Sequence, residues 1–279
     1  MNLYFLKTKV RMSIHIKNYF ERIGFSDEVV INIETLEKLN FLHVTTIPFE
    51  NINPFLELPV KIDIDSIQEK LIYNKRGGYC YEQNTLFFHV LTDLGFNVRP
   101  LAGRVIWNDS IDAITSLTHM FLLVTIDEIE YLVDVGFGAQ TLTAPLEFVL
   151  NKEQKTPHES YQITELKNEF VLQTRIYNEW KSMYRFNKNQ QHFVDFEVGN
   201  WYTSTNPDFI FTKILFLSKV SEKYRFSLIN TVFKKYDLNR KTETSKIESI
   251  EELKKIIENV FNLQLPKVTN LDEKLKKLF

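Results

Sequence analysis

The sequence predicts an α+β protein in three segments, and three patterns predict it: helical periodicity up to Gly95, closely spaced β-rich runs from residue 98 to about 187, and a mixed pattern from Asn206 onward. The expected boundaries are 1–95, 96–204 and 205–279. Residues 1–11 read as a possible extension, because the periodicity starts only at Met12. With 279 residues, 44% of them apolar, the chain can bury a real core, and no repeat or low-complexity linker divides it.

In the first segment Ile16, Tyr19, Phe20 and Ile23 share one helix face, and Ser26-Asp27-Glu28 predicts the capped start of a second helix presenting Val30, Ile33, Leu36 and Leu39. Pro48, Pro54 and Pro59 then break the chain into an aromatic loop. A short helix near Ser66 to Asn74 leads to Cys80, which opens a helical run with Leu86, Phe87, Val90, Leu91 and Leu94 on one face, closed by Gly95. In the second segment VRPLAGRVIW, THMFLLVTI, IEYLVDV, SYQITEL, EFVLQTRI and WKSMYRF predict a small antiparallel barrel or sandwich. In the third, Asn206-Pro207-Asp208 predicts the capped start of a helix through Phe216, and YRFSLINTVF predicts a strand. Ile247, Ile250, Leu253, Ile257, Val260 and Phe261 make the last long helix amphipathic.

A formal charge of −2 gives no electrostatic footprint for nucleic acid, and no run approaches the roughly 18 apolar residues of a membrane span. The only cysteine, Cys80, excludes an intramolecular disulfide and a cysteine-built zinc or iron–sulfur site, which points to a reducing compartment. The basic residues near the N-terminus follow the apolar ones, the reverse of a secretory signal, so a cytoplasmic location is expected. His15, His43, His89, His158 and His192 lack metal-ligand spacing, and the chain has no P-loop and no dinucleotide fingerprint. No metal and no permanently bound cofactor is expected, and the oligomeric state is left open.

Cys80 lies at the start of its helix, where unsatisfied backbone N–H groups and the helix dipole favour a thiolate. Gly77 and Gly78 before it allow a sharp turn and leave room for a substrate. The alternative is a small buried hydrophobe beside a tight turn. His119 and Asp134 favour the chemical reading. THMFLLVTI and IEYLVDV flank Asp127-Glu128 like two arms of a hairpin, and a two- or four-residue loop there puts both side chains on one face, opposite or diagonal. An aspartate between Val133 and Val135 is also a poor choice for mere solubility. Helix-start cysteine, strand histidine and adjacent-strand aspartate follow the chain order of papain-like thiol sites. Cys80 is the expected nucleophile, His119 the base, and Asp134 the group that fixes the imidazole tautomer.

RGGYCYEQN at Arg76 to Asn84 resembles the signature of the arylamine N-acetyltransferases. IPFENIN at Ile47 to Asn53, THMFLLV and VDVGFG at Val133 to Gly138 resemble further motifs of that family, in the same order. The resemblance spans nearly the whole chain from Met12. It implies a papain/transglutaminase-like cysteine-enzyme fold, with a helical domain carrying the cysteine, a β-barrel carrying histidine and aspartate, and an α/β lid. It also implies acetyl-CoA as co-substrate, aromatic amines or hydrazines as acceptors, an acetyl-cysteine intermediate with ping-pong kinetics, and a place in xenobiotic metabolism.

By the same resemblance, Gly136, Phe137 and Gly138 are expected on the coenzyme side, and Phe49, Val105 and Phe137 along the acceptor pocket, although Phe49 and Val105 are equally plain as core residues. Arg76, Glu82 and Asn84 are expected to support the loop by ion pairs and backbone hydrogen bonds. Two other functions compete: a transglutaminase-like or cysteine-protease-like acyl transfer from a protein amide, and a non-catalytic homologue that binds CoA or an aryl ligand.

Overall fold

The computed structural model describes residues 14–239 and 241–279. The expected extension at 1–11, and the helical start at Met12, lie outside the described residues. Helix α1 (Ile16–Ile23) buries Tyr19 and Ile23 and ends at Gly24, whose φ of 74° is the left-handed cap a glycine adopts without strain. Helix α2 runs Ile33–Thr46, so the start expected at Ser26 is corrected: Asn32 is the cap, and its side chain accepts the Thr35 N–H at 2.9 Å. The β-branched run Val29-Val30-Ile31 disfavours helix, and Val30 and Ile31 remain exposed.

The proline-broken stretch is more ordered than a loop. It holds a two-residue strand, β1 (Phe49–Glu50), and one helical turn, α3 (Ile52–Phe55), whose Pro54 sits where no helical donor is lost. Helix α4 (Ile64–Ile67) passes into a π-helical turn over Gln68–Tyr73, and α5 (Cys80–Asp93) follows.

Strands β2 (Asn97–Val105), β3 (Leu117–Ile126), β4 (Ile129–Val133), β5 (Leu146–Glu147), β6 (Gln154–Lys155), β7 (Ser160–Leu166), β8 (Glu169–Ile176) and β9 (Glu179–Phe186) form one antiparallel sheet, ordered β5-β4-β3-β2-β9-β8-β7-β6. The segment after β5 nearly closes it into a barrel. Phe148 N–H donates to Glu130 O at 2.7 Å on one side, and Asn151 N–H to Ile163 O at 2.8 Å on the other. Alternation along β3 separates two cores. Met120, Leu122 and Val124 face α5, whereas Phe121 and Leu123 join Leu101, Tyr161, Leu172, Tyr184 and Phe186 in the barrel interior.

Helix α6 (Phe193–Thr205), which the sequence pattern does not announce, leads to a short α7 (Ile210–Lys213). The helix expected from Asn206 through Phe216 is therefore corrected. Asn206 is the C-cap of α6, its Oδ1 accepts the Asp208 N–H at 2.9 Å in a local turn, and Phe216 already belongs to a strand. YRFSLINTVF is likewise two strands around Asn230. With β10 (Phe216–Val220), β11 (Tyr224–Ile229), β12 (Val232–Asp237) and β13 (Thr242–Lys246), strand β1 completes an antiparallel sheet ordered β1-β10-β11-β12-β13. Helices α8 (Ile250–Asn259) and α9 (Leu271–Lys276) cover it; Leu253 and Ile257 are buried as their spacing predicts, whereas Ile247 and Phe261, also buried, lie outside α8, which is shorter than expected. Among the described residues no helix is long and apolar enough to cross a membrane.

Candidate active site

Cys80 is the first residue of α5 and is 4% exposed, with its sulfur 3.8 Å from Thr118 O. The turn before it is fixed by buried charge. Glu82 accepts the Tyr79 N–H at 3.1 Å and binds Lys70 at 2.7 Å, while Glu50 binds Arg76 at 2.6 Å and Lys70 at 3.1 Å. Burial raises the Glu50 carboxyl, but Arg76 and Lys70 outweigh burial and hold it below its ordinary range. Burial pushes Glu82 up, and the neighbouring Glu50 adds to that against the single cation Lys70.

Gly77 and Gly78 make no room for a substrate, contrary to expectation. A Cβ at Gly77 would stand 2.1 Å from Pro48 O, and one at Gly78 2.8 Å from the Glu82 side chain, so protein fills that space. The glycines permit close packing of this turn.

The β3–β4 hairpin has a two-residue loop, with φ of 47° at Asp127 and 66° at Glu128, the positive pair of a type I′ turn. Leu122 faces Val133, so Asp134, just beyond β4, lies diagonal to His119 on the same face. His119 Nε2 and Asp134 Oδ2 are 2.7 Å apart, and both residues are buried. That bond occupies Nε2 and leaves Nδ1 as the ring atom for the Cys80 sulfur. Burial lowers the basicity of His119, but the charge and hydrogen bond of Asp134, reinforced by Cys80, raise its pKa to about 10. The pairing with Asp134 thus favours the protonated imidazole.

Asp134 is itself held from several directions. Its Oδ1 accepts from Asn84 Nδ2 at 3.1 Å and from Gly136 N–H at 3.0 Å, and Asn84 also bonds Met120 O at 2.8 Å and accepts Val135 N–H at 3.2 Å. Asn84 thus ties the helix that begins at Cys80 to the carboxylate. Gly136 is required by contact, because a Cβ there would come within 2.7 Å of both Cys80 Cα and Asn84 Nδ2.

Of the remaining expected residues, Phe137 lies edge-on to His119 with ring centroids 5.3 Å apart. Gly138 has φ of 96° and backs onto Phe216 and Phe49. Phe49 is buried, 5.0 Å from Phe216 and 5.9 Å from Phe211 between ring centroids, and Val105 is half-buried opposite Tyr184. His119, Phe137 and Tyr184 form one aromatic group, whereas Phe49 belongs to a second group with Phe211 and Phe216. Two further residues have no signal in spacing. Asn51 accepts Phe216 N–H at 2.7 Å and donates to Phe211 O and Ile214 O at 2.9 and 2.7 Å, sewing β1 to the last segment. Tyr184 packs 4.8 Å from the His119 ring. No cluster that could hold a metal ion occurs among the described residues.

A thiol at a helix start, an imidazole bonded to a carboxylate and further bonds that hold that carboxylate suit nucleophilic acyl transfer. The model of a family described as N-acetyltransferase matches residues 32–269. The arylamine N-acetyltransferase of Escherichia coli K12 is 37% identical over 249 residues, covering 89% of this chain and 88% of its own length. That of Mycolicibacterium smegmatis is 38% identical over 221 residues, 78% and 80% of the two chains. The solved structure of Mycobacterium marinum arylamine N-acetyltransferase in complex with CoA is similar with a TM-score of 0.90 and 32% identity, covering 94% of this chain and 99% of that one. Likeness of this extent in both sequence and structure places the chain in the arylamine N-acetyltransferase family.

Proposed function

We propose that this enzyme moves an acetyl group from acetyl-CoA to an aromatic amine or hydrazine through an acetyl thioester on Cys80. The carrying observation is the 2.7 Å His119–Asp134 bond on the imidazole that serves Cys80. The Cys80 thiolate attacks the acetyl carbonyl, and the CoA sulfur leaves and takes the proton held by His119. The amine then attacks the acetyl-enzyme, its surplus proton passes to the now neutral His119, and Cys80 departs as thiolate. Exchange between thioesters is nearly balanced in energy, and the stable amide product drains the sequence.

In this reading Gly136, Phe137 and Gly138 form the coenzyme side, consistent with the CoA complex of the M. marinum relative, and Phe137, Phe49 and Val105 border the acceptor. The Gly136 N–H is already given to Asp134, which leaves the backbone beyond it for phosphate contacts. Segment 1–95 supplies the nucleophile, 96–204 the base and its carboxylate, and 205–279 covers them. A cytoplasmic enzyme acting on foreign aryl amines, with small-molecule substrates, no nucleic-acid or membrane partner and no resident cofactor, accords with the lone free cysteine and the near-neutral charge. Initial rates measured against both substrates test the reading. Parallel double-reciprocal lines are expected, and intersecting lines that require both substrates bound together exclude the acetyl-enzyme.

A further inference from the structure

We propose that Arg225, held by Glu159, is a positioning residue that sets the 136–141 loop and, through it, the acceptor wall at Phe137. The inference rests on the reading above that this loop borders the substrates. Arg225 stands on β11, within the sheet of the last segment, while Glu159 immediately precedes β7 of the barrel; both side chains are 4% exposed.

The guanidinium is used as a fork in two directions. Nε and Nη2 donate to Glu159 Oε1 and Oε2 at 2.8 and 2.5 Å, while Nη1 donates to Ala139 O at 3.2 Å and Nη2 also to Thr141 O at 2.9 Å. Tyr161 brings its hydroxyl 3.1 Å from Gln140 O, so three successive carbonyls are fixed from outside the loop. At its base the loop is fastened to the triad itself, because Thr141 Oγ1 donates to Asp134 O at 2.8 Å and Leu142 N–H to the same carbonyl at 3.2 Å. The segment between these two anchors contains Gly136, Phe137 and Gly138.

A buried ion pair is weak evidence for stability, since well-packed apolar residues serve as well. What a planar guanidinium adds is direction: it meets a carboxylate bidentately and still presents donors at fixed angles to two carbonyls, which an ammonium cannot do. Neither residue touches the Cys80–His119–Asp134 group. Their effect on turnover must therefore pass through loop geometry.

Arg225→Lys keeps a charge for Glu159 and removes the fork, and Glu159→Gln keeps the shape of the partner and removes its charge. For each variant three quantities are measured: KM for an arylamine acceptor, the rate of Cys80 alkylation by iodoacetamide, and amide hydrogen exchange over residues 136–142 and over α5. We expect the acceptor KM to rise about fivefold or more, alkylation to stay within about twofold, and exchange to accelerate about tenfold in the loop alone. Unchanged loop exchange overturns the proposal, as does faster loop exchange with an unaltered acceptor KM. Alkylation that falls in step with acceptor turnover, together with faster exchange in α5, also overturns it, because the pair then supports the fold in general. If the wild-type enzyme forms no acetyl-Cys80, the functional reading fails by itself, and loop exchange still decides whether Arg225 holds the loop.

Discussion

Replacing Asp134 with asparagine changes one atom in size and inverts the hydrogen-bond pattern of the site. Two donors, Asn84 Nδ2 and Gly136 N–H, converge on Oδ1, and only Oδ2 faces His119. An asparagine must turn its single carbonyl oxygen toward those donors, because an amide nitrogen there would oppose both. Its NH2 group then faces His119 Nε2 and donates to it, which strips the proton from Nε2, leaves a neutral ring protonated at Nδ1 and removes the imidazolium that would pair with the Cys80 thiolate. The charge is lost as well. Burial opposes charge on His119, and Asp134 is the main cause that raises its pKa against that burial, so losing the carboxylate also withdraws support from the imidazolium. Tautomer reversal in serine-protease triads costs about 10⁴ in kcat. Asp134→Asn should therefore fold normally and slow single-turnover acetylation of Cys80 by about 10³–10⁴, as read by quenched-flow mass spectrometry. Acetylation within about tenfold of wild type would refute both the orientation argument and the assignment of Asp134 to catalysis.

Other perturbations have defined outcomes. Gly136→Ala places a methyl 2.7 Å from Cys80 Cα, so it should cost about 1–3 kcal/mol in denaturant unfolding and most of the activity; wild-type values for both contradict the packing. Phe137→Ala removes the ring 5.3 Å from His119 and should slow transfer to aryl acceptors several-fold while sparing acetylation of Cys80, and equal slowing of both half-reactions assigns the ring to coenzyme binding or folding. His119 is more basic in the folded chain than the ordinary 6.5, so its stabilising contribution is full below about 6.5 and is lost as pH rises through about 10. Urea midpoints should therefore fall between those limits in wild type and fall less in Asp134→Asn; an identical pH dependence in the two proteins shows that the pair does not carry this linkage.

The parts legible in sequence are those written in local periodicity or in short motifs. The apolar spacing of Ile250, Leu253 and Ile257 marks α8, and alternation along THMFLLVTI and IEYLVDV places His119 and Asp134 on one face. The cysteine's position follows from the apolar stripe behind it. What escaped depends on partners distant in sequence. Strand β1 exists because Phe49 and Glu50 pair with Ser218 and Leu217, and a proline-flanked dipeptide has no periodicity of its own. Helix α6 exposes Val194, Val198 and Trp201, so no clean amphipathic pattern announces it. Paired glycines before Cys80 read as open space, yet the structure fills that space with Pro48 and Glu82. Arg225 reads as an ordinary strand charge until the barrel supplies Glu159 and two carbonyls.

In the proposed reaction one sulfur carries the acetyl group. Wild-type enzyme mixed with acetyl-CoA, without acceptor, should gain a single acetyl in intact-mass spectra, mapping after proteolysis to Cys80; the adduct should vanish on addition of an arylamine and never form in Cys80→Ala. Acetyl-CoA that leaves the protein mass unchanged while the full reaction proceeds, or an acetyl that maps elsewhere and is transferred all the same, would contradict the account.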